Sequence, residues 1–225
     1  MSPQPQMAAR PRGKSRIGLL AVAGAALVLI VAMALDTKVV KIGSAADIAP
    51  NTFSPAAFGE AEFPKVKAAI EARAVDAVTL AAAVVKDKDA AAKQYGVEPA
   101  KSGVATSSGA VISVKFTGVV GKGDSGVYDV AVEGVPSSVT IRMQTGPAIY
   151  GTDLRDATGL ISFGQFVNQI DYQNAGSALN KETKKRVLSK VDTAKLTGKT
   201  VSVIGAFKLL TADNWLITPV RLDVK

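Results

Sequence analysis

The residues from Ile17 to Leu35 form a run of 19 without one charged side chain, and no other feature restricts the fold of this chain so tightly. At about 1.5 Å per helical residue the run reaches roughly 28 Å, close to the hydrocarbon thickness of a bilayer. Arg10, Arg12, Lys14 and Arg16 precede it, and Asp36 follows at once. Basic residues hold the near side of such a segment in the cytoplasm, so residues 36–225 are expected beyond the membrane. The reading is a single-pass transmembrane anchor over 17–35 in a bacterial inner membrane, with the C-terminal part in the periplasm. Ala32-Met33-Ala34 also has the form of a signal-peptide cleavage site, and cleavage after Ala34 would release the same residues into the periplasm. The length of the run favours the anchor, because secretory apolar cores usually stop at about 7–15 residues.

Export changes how the charge is read. Four of the 27 basic residues lie before the run, leaving 23 against 19 acidic residues in the exported part. A small, scattered excess lacks the concentrated basic stripe of a nucleic-acid surface, and no nucleic-acid partner is expected. The chain has no Cys and no His. Disulfides, thiol nucleophiles, Cys-linked lipids, zinc sites of the usual ligands and a Ser-His-Asp triad are thereby excluded. No Asp-rich loop of EF-hand spacing occurs either, so neither metal nor cofactor is expected.

Five segments emerge from the patterning: a cytoplasmic tail over 1–16, the anchor, a linker over 36–52, a helical region over 53–105 and a β domain over 106–225. In the helical region, Val75, Val78, Ala82 and Val85 recur at helical spacing, which predicts one helix from Val75 to Tyr95 stopped by Gly96. A shorter helix from Pro64 to Arg73 precedes it. Beyond a polar loop over Gly96–Gly109 the period becomes twofold. Ile112, Val114 and Phe116, then Tyr128, Val130 and Val132, then Val139, Ile141 and Met143 mark three strands, with turns at Gly121–Gly126 and Gly134–Ser137.

A helix start comes next, in which Ser162 and Gln165 have the spacing of a capping box and Ile161 and Phe166 that of a hydrophobic staple. Phe163, Phe166, Val167, Ile170, Asn174 and Ala178 then share one helical face, so a packed helix is expected to about Leu188. Two strands, Lys199–Leu210 and Trp215–Val224, complete the chain, and Pro219 marks an edge or bulge in the last. The fold class is α+β. After the membrane helix and the small helical region, three strands, a helix and two strands give the order of a mostly antiparallel five-stranded OB-type barrel with a helix between strands 3 and 4.

Several short motifs are weaker than they look. Gly121, Gly123 and Gly126 match the dinucleotide pattern, but a strand comes after them where a phosphate-binding helix would be needed, so the pattern reads as a hairpin. Gly123-Asp124-Ser125-Gly126 resembles a serine-protease nucleophile loop in a chain without the His base. Gly198-Lys199-Thr200 resembles the end of a phosphate loop but leads into a strand. A Ser-Lys dyad is chemically open, and nothing singles out a pair.

The segment Gly151–Asn180 has more character. Gln165, Gln169 and Gln173 fall at i, i+4 spacing, and Asn168, Tyr172 and Asn180 add donors and acceptors. Such amides suit sugar hydroxyls or a partner's backbone; equally, they can satisfy backbone groups around the helix. Arg155 with Asp153 or Asp156 reads as a structural ion pair. The candidate contact set is Arg155, Asp156, Gln165, Asn168, Gln169, Tyr172, Gln173 and Asn180.

In Gly151-Thr152, Leu154-Arg155-Asp156, Phe163, Phe166, Asn168-Gln169, Tyr172-Gln173 and Leu179-Asn180, the chain resembles predicted periplasmic lipoproteins of unknown function whose genes often accompany sugar ABC transporters. The resemblance extends upstream through Val75-Asp76, Leu80 and Tyr95-Gly96. It implies an accessory or binding role beside a sugar uptake system, with a sugar ABC transporter component as partner, and carries over no catalytic residue. With no Cys, this member departs from the pattern in having no site for a lipid and depends on its N-terminal helix for attachment. The expected function is therefore a membrane-anchored periplasmic accessory or binding protein that is not an enzyme. Two alternatives stand beside it. One is a carbohydrate- or oligomer-binding OB-type module, with Tyr128, Tyr150, Tyr172 and Trp215 as stacking residues. The other is a hydrolase of Ser-Lys or carboxylate type. Oligomeric state is not legible from the sequence.

Overall fold

The computed structural model describes residues 16–36, 53–98 and 109–225, with the side chains of the first helix described over 22–35. All of the expected tail but Arg16, most of the linker and most of the polar loop lie outside these residues. The chain divides into two units, Met1–Thr52 and Phe53–Lys225. In the first, helix α1 (Arg16–Asp36) covers the apolar run without a break. Its side chains from Val22 to Leu35 are all exposed. Among the described residues, no helix is long and apolar enough to cross a membrane, so the fold by itself does not supply the expected anchor.

The second unit begins with α2 (Pro55–Arg73), in which Ser54 caps the N-terminus through a 3.4 Å bond from the Ala57 N–H and Pro55 occupies the first turn. The helix thus starts one Ser-Pro signal earlier than the expected Pro64, which lies in its interior. The single helix expected over 75–95 is also divided. Val75–Asp76 form a short strand, β1, after which α3 (Ala77–Lys86) and α4 (Lys88–Tyr95) are separated at Asp87. The Asp87 carboxylate accepts from the N–H groups of Asp89 and Ala90, at 3.0 and 2.9 Å, and this local bond outcompetes continuation of the helix. Gly96–Val97 form β2.

The remaining strands are β3 (Val111–Asp124), β4 (Val127–Ala131), β5 (Thr140–Gln144), β6 (Thr200–Lys208) and β7 (Asn214–Val224). They pair in the order β3-β4-β5-β7-β6, and β6 returns to β3, so five strands close a ring of hydrogen bonds. The β5–β7 pairing is parallel and the other four are antiparallel. β1 and β2 both pair with β3 outside the ring. The β3–β4 turn is Ser125-Gly126, with φ of 51° and 82°, as the right-handed twist of a two-residue hairpin requires. Gly198 (φ 81°) turns the chain into β6. Both Gly-rich motifs are therefore strand connections.

Pro219 lies at a bulge: Gly205 faces Pro219 while Ile204 faces Arg221, which leaves Val220 unpaired in register. Gly205 is needed there, because a Cβ would stand 2.5 Å from the Thr218 carbonyl oxygen. One hydrophobic core unites the ring with the helices; Trp215 stacks on Phe207 inside it, their centroids 4.9 Å apart, and Phe63, Ile70 and Leu80 join from α2 and α3. Between β5 and β6 come α5 (Asp153–Asp156) and α6 (Gln169–Arg186), the inserted helices of the expected order. α6 packs along α2, which rests in turn on β3, β6 and β7. Gly59 makes the helix contact close, since a Cβ would stand 3.0 Å from the Ala178 carbonyl oxygen.

Candidate functional site

The segment from Gly151 to Asn180 is held from below by buried polar bonds. Arg155 and Asp156, 5% and 4% exposed, sit on the single turn of α5. The guanidinium grips the carboxylate at two points, Nε to Oδ1 at 2.7 Å and Nη2 to Oδ2 at 3.2 Å. Arg155 Nη1 donates to the Tyr172 carbonyl at 3.0 Å, and its guanidinium carbon lies 3.6 Å from the centre of the Tyr172 ring. Thr152 Oγ1 donates to Asp156 Oδ2 at 2.8 Å. Burial pushes the Tyr172 phenol up. Asn180 Nδ2 donates to the carbonyls of Gly151 and Ile149, at 2.9 and 3.3 Å, and so ties α6 to the loop before α5. This brace is the expected structural ion pair, made between Arg155 and Asp156.

Asp153 opens α5 and is half-buried. Burial pushes its carboxyl up to about 6 from the ordinary 3.8; the Lys208 charge opposes the rise, Asp156 adds to it, and the Lys208 peptide N–H opposes it again.

The helical stripe of three glutamines does not form. Ser162 and Gln165 form the expected capping box, with the Ser162 N–H donating to Gln165 Oε1 at 3.2 Å, but the turn they cap ends at Phe166. The backbone is extended at Phe166 and Asn168, and Asn168 Oδ1 starts α6 afresh by accepting from the Asp171 N–H at 2.8 Å. Gln165 consequently belongs to the preceding turn, where its Nε2 donates to the Leu160 carbonyl, while Gln169 and Gln173 lie on α6. Three amides of the candidate set, those of Gln165, Asn168 and Asn180, satisfy or cap backbone. Those of Gln169 and Gln173 have no hydrogen bond among the described residues.

The expected packed face also divides. Phe166 joins Phe53, Phe58 and Tyr172 in an aromatic cluster with centroid separations of 5.3–5.6 Å. Val167 and Ile170 are instead 89% and 71% exposed, and Leu160 before them is 54% exposed. A residue in the position of Val167 usually packs back onto the first turns of its helix; here it stands in solvent. The surface therefore combines exposed apolar side chains with the amides of Gln165, Asn168 and Gln173. Helical periodicity had no means of finding it, because the redirection comes from the second cap at Asn168.

Gln144 was not singled out by its sequence pattern. It is buried on β5 beside Met143, where alternation would have placed one of the two outside. Its side chain holds the loop after β5, with Nε2 donating to Thr218 Oγ1 (2.9 Å) and the Tyr150 carbonyl (3.2 Å) and Oε1 accepting from the Tyr150 N–H (2.9 Å). The expected stacking residues fare less well. Trp215 and Tyr172 are 0% and 2% exposed, Tyr128 is half-buried with its hydroxyl on the Thr193 carbonyl, and Tyr150 alone of the four is open, at 68%.

Comparison with known proteins places this arrangement. No curated protein matches the chain. The crystal structure of an OB-fold protein from Thermotoga maritima is similar in fold, with a TM-score of 0.61 and 19% identity over 78% of this chain and 100% of that one. Its OB-fold class agrees with the ring described above. The family model of the predicted periplasmic lipoproteins (DUF2291) matches residues 25–223, which include the whole ring, the brace and the exposed segment, and the chain belongs to that family.

Proposed function

We propose that this protein is a membrane-tethered periplasmic accessory subunit that binds a protein partner through the surface around Val167, beside a sugar ABC uptake system. The periplasmic placement rests on the family. The tether is the apolar run of α1 with its basic flank, and the absence of Cys leaves no residue to carry the family's lipid. The uptake system enters through the resemblance of Gly151–Asn180 to proteins encoded beside sugar transporters.

The observation that carries the reading is the exposure of Leu160, Val167 and Ile170 on a segment braced from below. Apolar side chains on a rigid support suit a protein surface, where little ordering entropy remains to be lost on binding. The brace itself supports binding over catalysis: its charges satisfy one another and are buried away from any substrate.

The test is copurification of the full chain from gently solubilised membranes, comparing the wild type with Val167→Asp/Ile170→Asp. The wild type is expected to retain a sugar permease or its binding protein, and the double variant to lose it with an unchanged melting temperature. Equal retention by a folded double variant would remove this surface from the reading. The tether has a separate test, since a chain without Cys accepts one reporter thiol cleanly. Lys195→Cys is expected to react with a membrane-impermeant maleimide in intact spheroplasts while the protein stays in the membrane fraction through a carbonate wash.

A further inference from the structure

Away from the brace, where α2, the end of α6 and the bulged part of β7 meet, the domain encloses a half-open pocket of about 390 Å³. That volume falls within the usual range of small-ligand sites, roughly 300–1,000 Å³. Its floor is apolar: Phe63, Val187, Val220 and Leu222 line it, and each is at least nine-tenths buried. Its rim carries Lys67, Arg186, Lys190, Arg221 and Asp223, and from outside the lining Glu71 pairs with Lys67 while Glu182 and Glu60 pair with Arg186.

The decisive feature is which hydrogen-bonding groups remain available. Lys67 Nζ is held by Glu71 (2.6 Å) and the Val220 carbonyl (3.2 Å). Arg186 gives Nε to Glu182 and Nη2 to the Glu60 carbonyl, which leaves both N–H groups of Nη1 free. Arg221 spends Nε on Asp223 and keeps its four terminal N–H groups. Lys190, on the short turn after α6, has no ion pair or hydrogen bond among the described residues. Unspent donors thus remain on Arg186 Nη1, on the terminal nitrogens of Arg221 and on Lys190, above an apolar floor. The hydroxyls of a sugar also accept hydrogen bonds, but they bring no negative charge to the unpaired Lys190, whereas a carboxylate or phosphate makes charge-assisted bonds with it and with the guanidinium edges. The bulge at Val220 fits the same picture, since bulges commonly re-aim side chains beside binding sites.

We infer that this pocket binds an anionic amphiphile, one carboxylate or phosphate head on the Arg186, Lys190 and Arg221 rim with a short apolar body on Phe63, Val220 and Leu222. The inference is independent of the partner surface around Val167. The head could belong to a free metabolite or to a lipid, and the experiment separates the two.

The full chain is reconstituted in phosphatidylcholine nanodiscs and its melting temperature monitored against octyl phosphate, decanoate and, as a neutral control, n-octanol. Octyl phosphate and decanoate are expected to raise the melting temperature to a saturating limit, and n-octanol to leave it unchanged. Lys190→Glu/Arg221→Glu is expected to need at least tenfold more octyl phosphate for half the effect. Both residues are exposed, so the variant should fold like the wild type, and Lys195→Glu, at an exposed site outside the pocket, should respond normally. Adding phosphatidic acid to the nanodiscs assigns the source. A raised starting temperature that octyl phosphate no longer shifts indicates a lipid head, and an unaltered response indicates a free amphiphile. No shift with either anion, an equal shift with n-octanol, or an unchanged response in the double variant would overturn the inference.

Discussion

The strand β3 and the segment from Leu160 to Ile170 both mix apolar and polar residues in a regular pattern, yet they dispose of their apolar side chains differently. Ile112, Val114 and Phe116 on β3 are at most 5% exposed, whereas Leu160, Val167 and Ile170 are 54–89% exposed. In a strand, pairing on both sides fixes which face each residue takes, and burial alternates along β3 from Val114 to Val120, although Ser113 is buried with its apolar neighbours and Val119 is 48% exposed. In the segment, local bonds from Gln165 and Asn168 fix the backbone one turn at a time, and each cap redirects the residues after it. The ring therefore reads as core, and the segment as a surface shaped by short-range hydrogen bonds on a buried ionic support.

If the support holds the segment, the largest effect should come from breaking it. Arg155→Ala leaves Asp156 buried without its partner and should destabilise the protein by about 3–5 kcal/mol in urea titrations, with the segment losing hydrogen-exchange protection first. A loss below ~1 kcal/mol would mean that the segment stands without its brace. Gln144→Leu keeps the volume and strands the Tyr150 backbone groups, and about 1–3 kcal/mol is expected.

A smaller effect belongs to Asp153. Its carboxyl titrates at about 6 in the folded chain against 3.8 as the ordinary value, so the folded state binds the proton first. Between pH 6 and 4 stability should rise as pH falls, and above pH 6 the full unfavourable contribution is present. Because Asp153 is half-buried and screened by solvent, the change is of order 1 kcal/mol. Asp153→Asn should flatten this limb of a stability-against-pH curve, and an unchanged limb would assign it to another group. The smallest effect is expected at the surface itself: Val167→Ser and Ile170→Ser should each shift stability by no more than about 0.5 kcal/mol while weakening partner retention.

How far the sequence could be read obeys the same division. Twofold alternation located the first three ring strands, the last two lie within the expected Lys199–Leu210 and close to Trp215–Val224, and the Pro219 bulge was legible because proline cannot donate to the ladder. Element order sufficed for an OB-type arrangement, with the insertion between the third and fourth strands of the ring. The helices were read less well wherever an acidic or amide side chain could cap. Asp87 divided one expected helix and Asn168 restarted another, and periodicity has no term for that competition. Arg155 was legible as half of a structural ion pair with Asp153 or Asp156 as its partner, and the structure makes that partner Asp156. Gln144 was not, since its role depends on the Tyr150 loop folding back over β5 and on Thr218 of a strand 74 residues away.

The central claim, that the segment around Val167 faces a partner in the periplasm, is tested most directly by photocrosslinking in intact cells. A photoreactive amino acid is placed at position 167 of the full chain, with position 195 as the control, and the crosslinked proteins are identified. The account predicts that position 167 captures a component of a sugar uptake system and that position 195 does not. Equal labelling from both positions, or a reproducible absence of any transport component at 167, would contradict it.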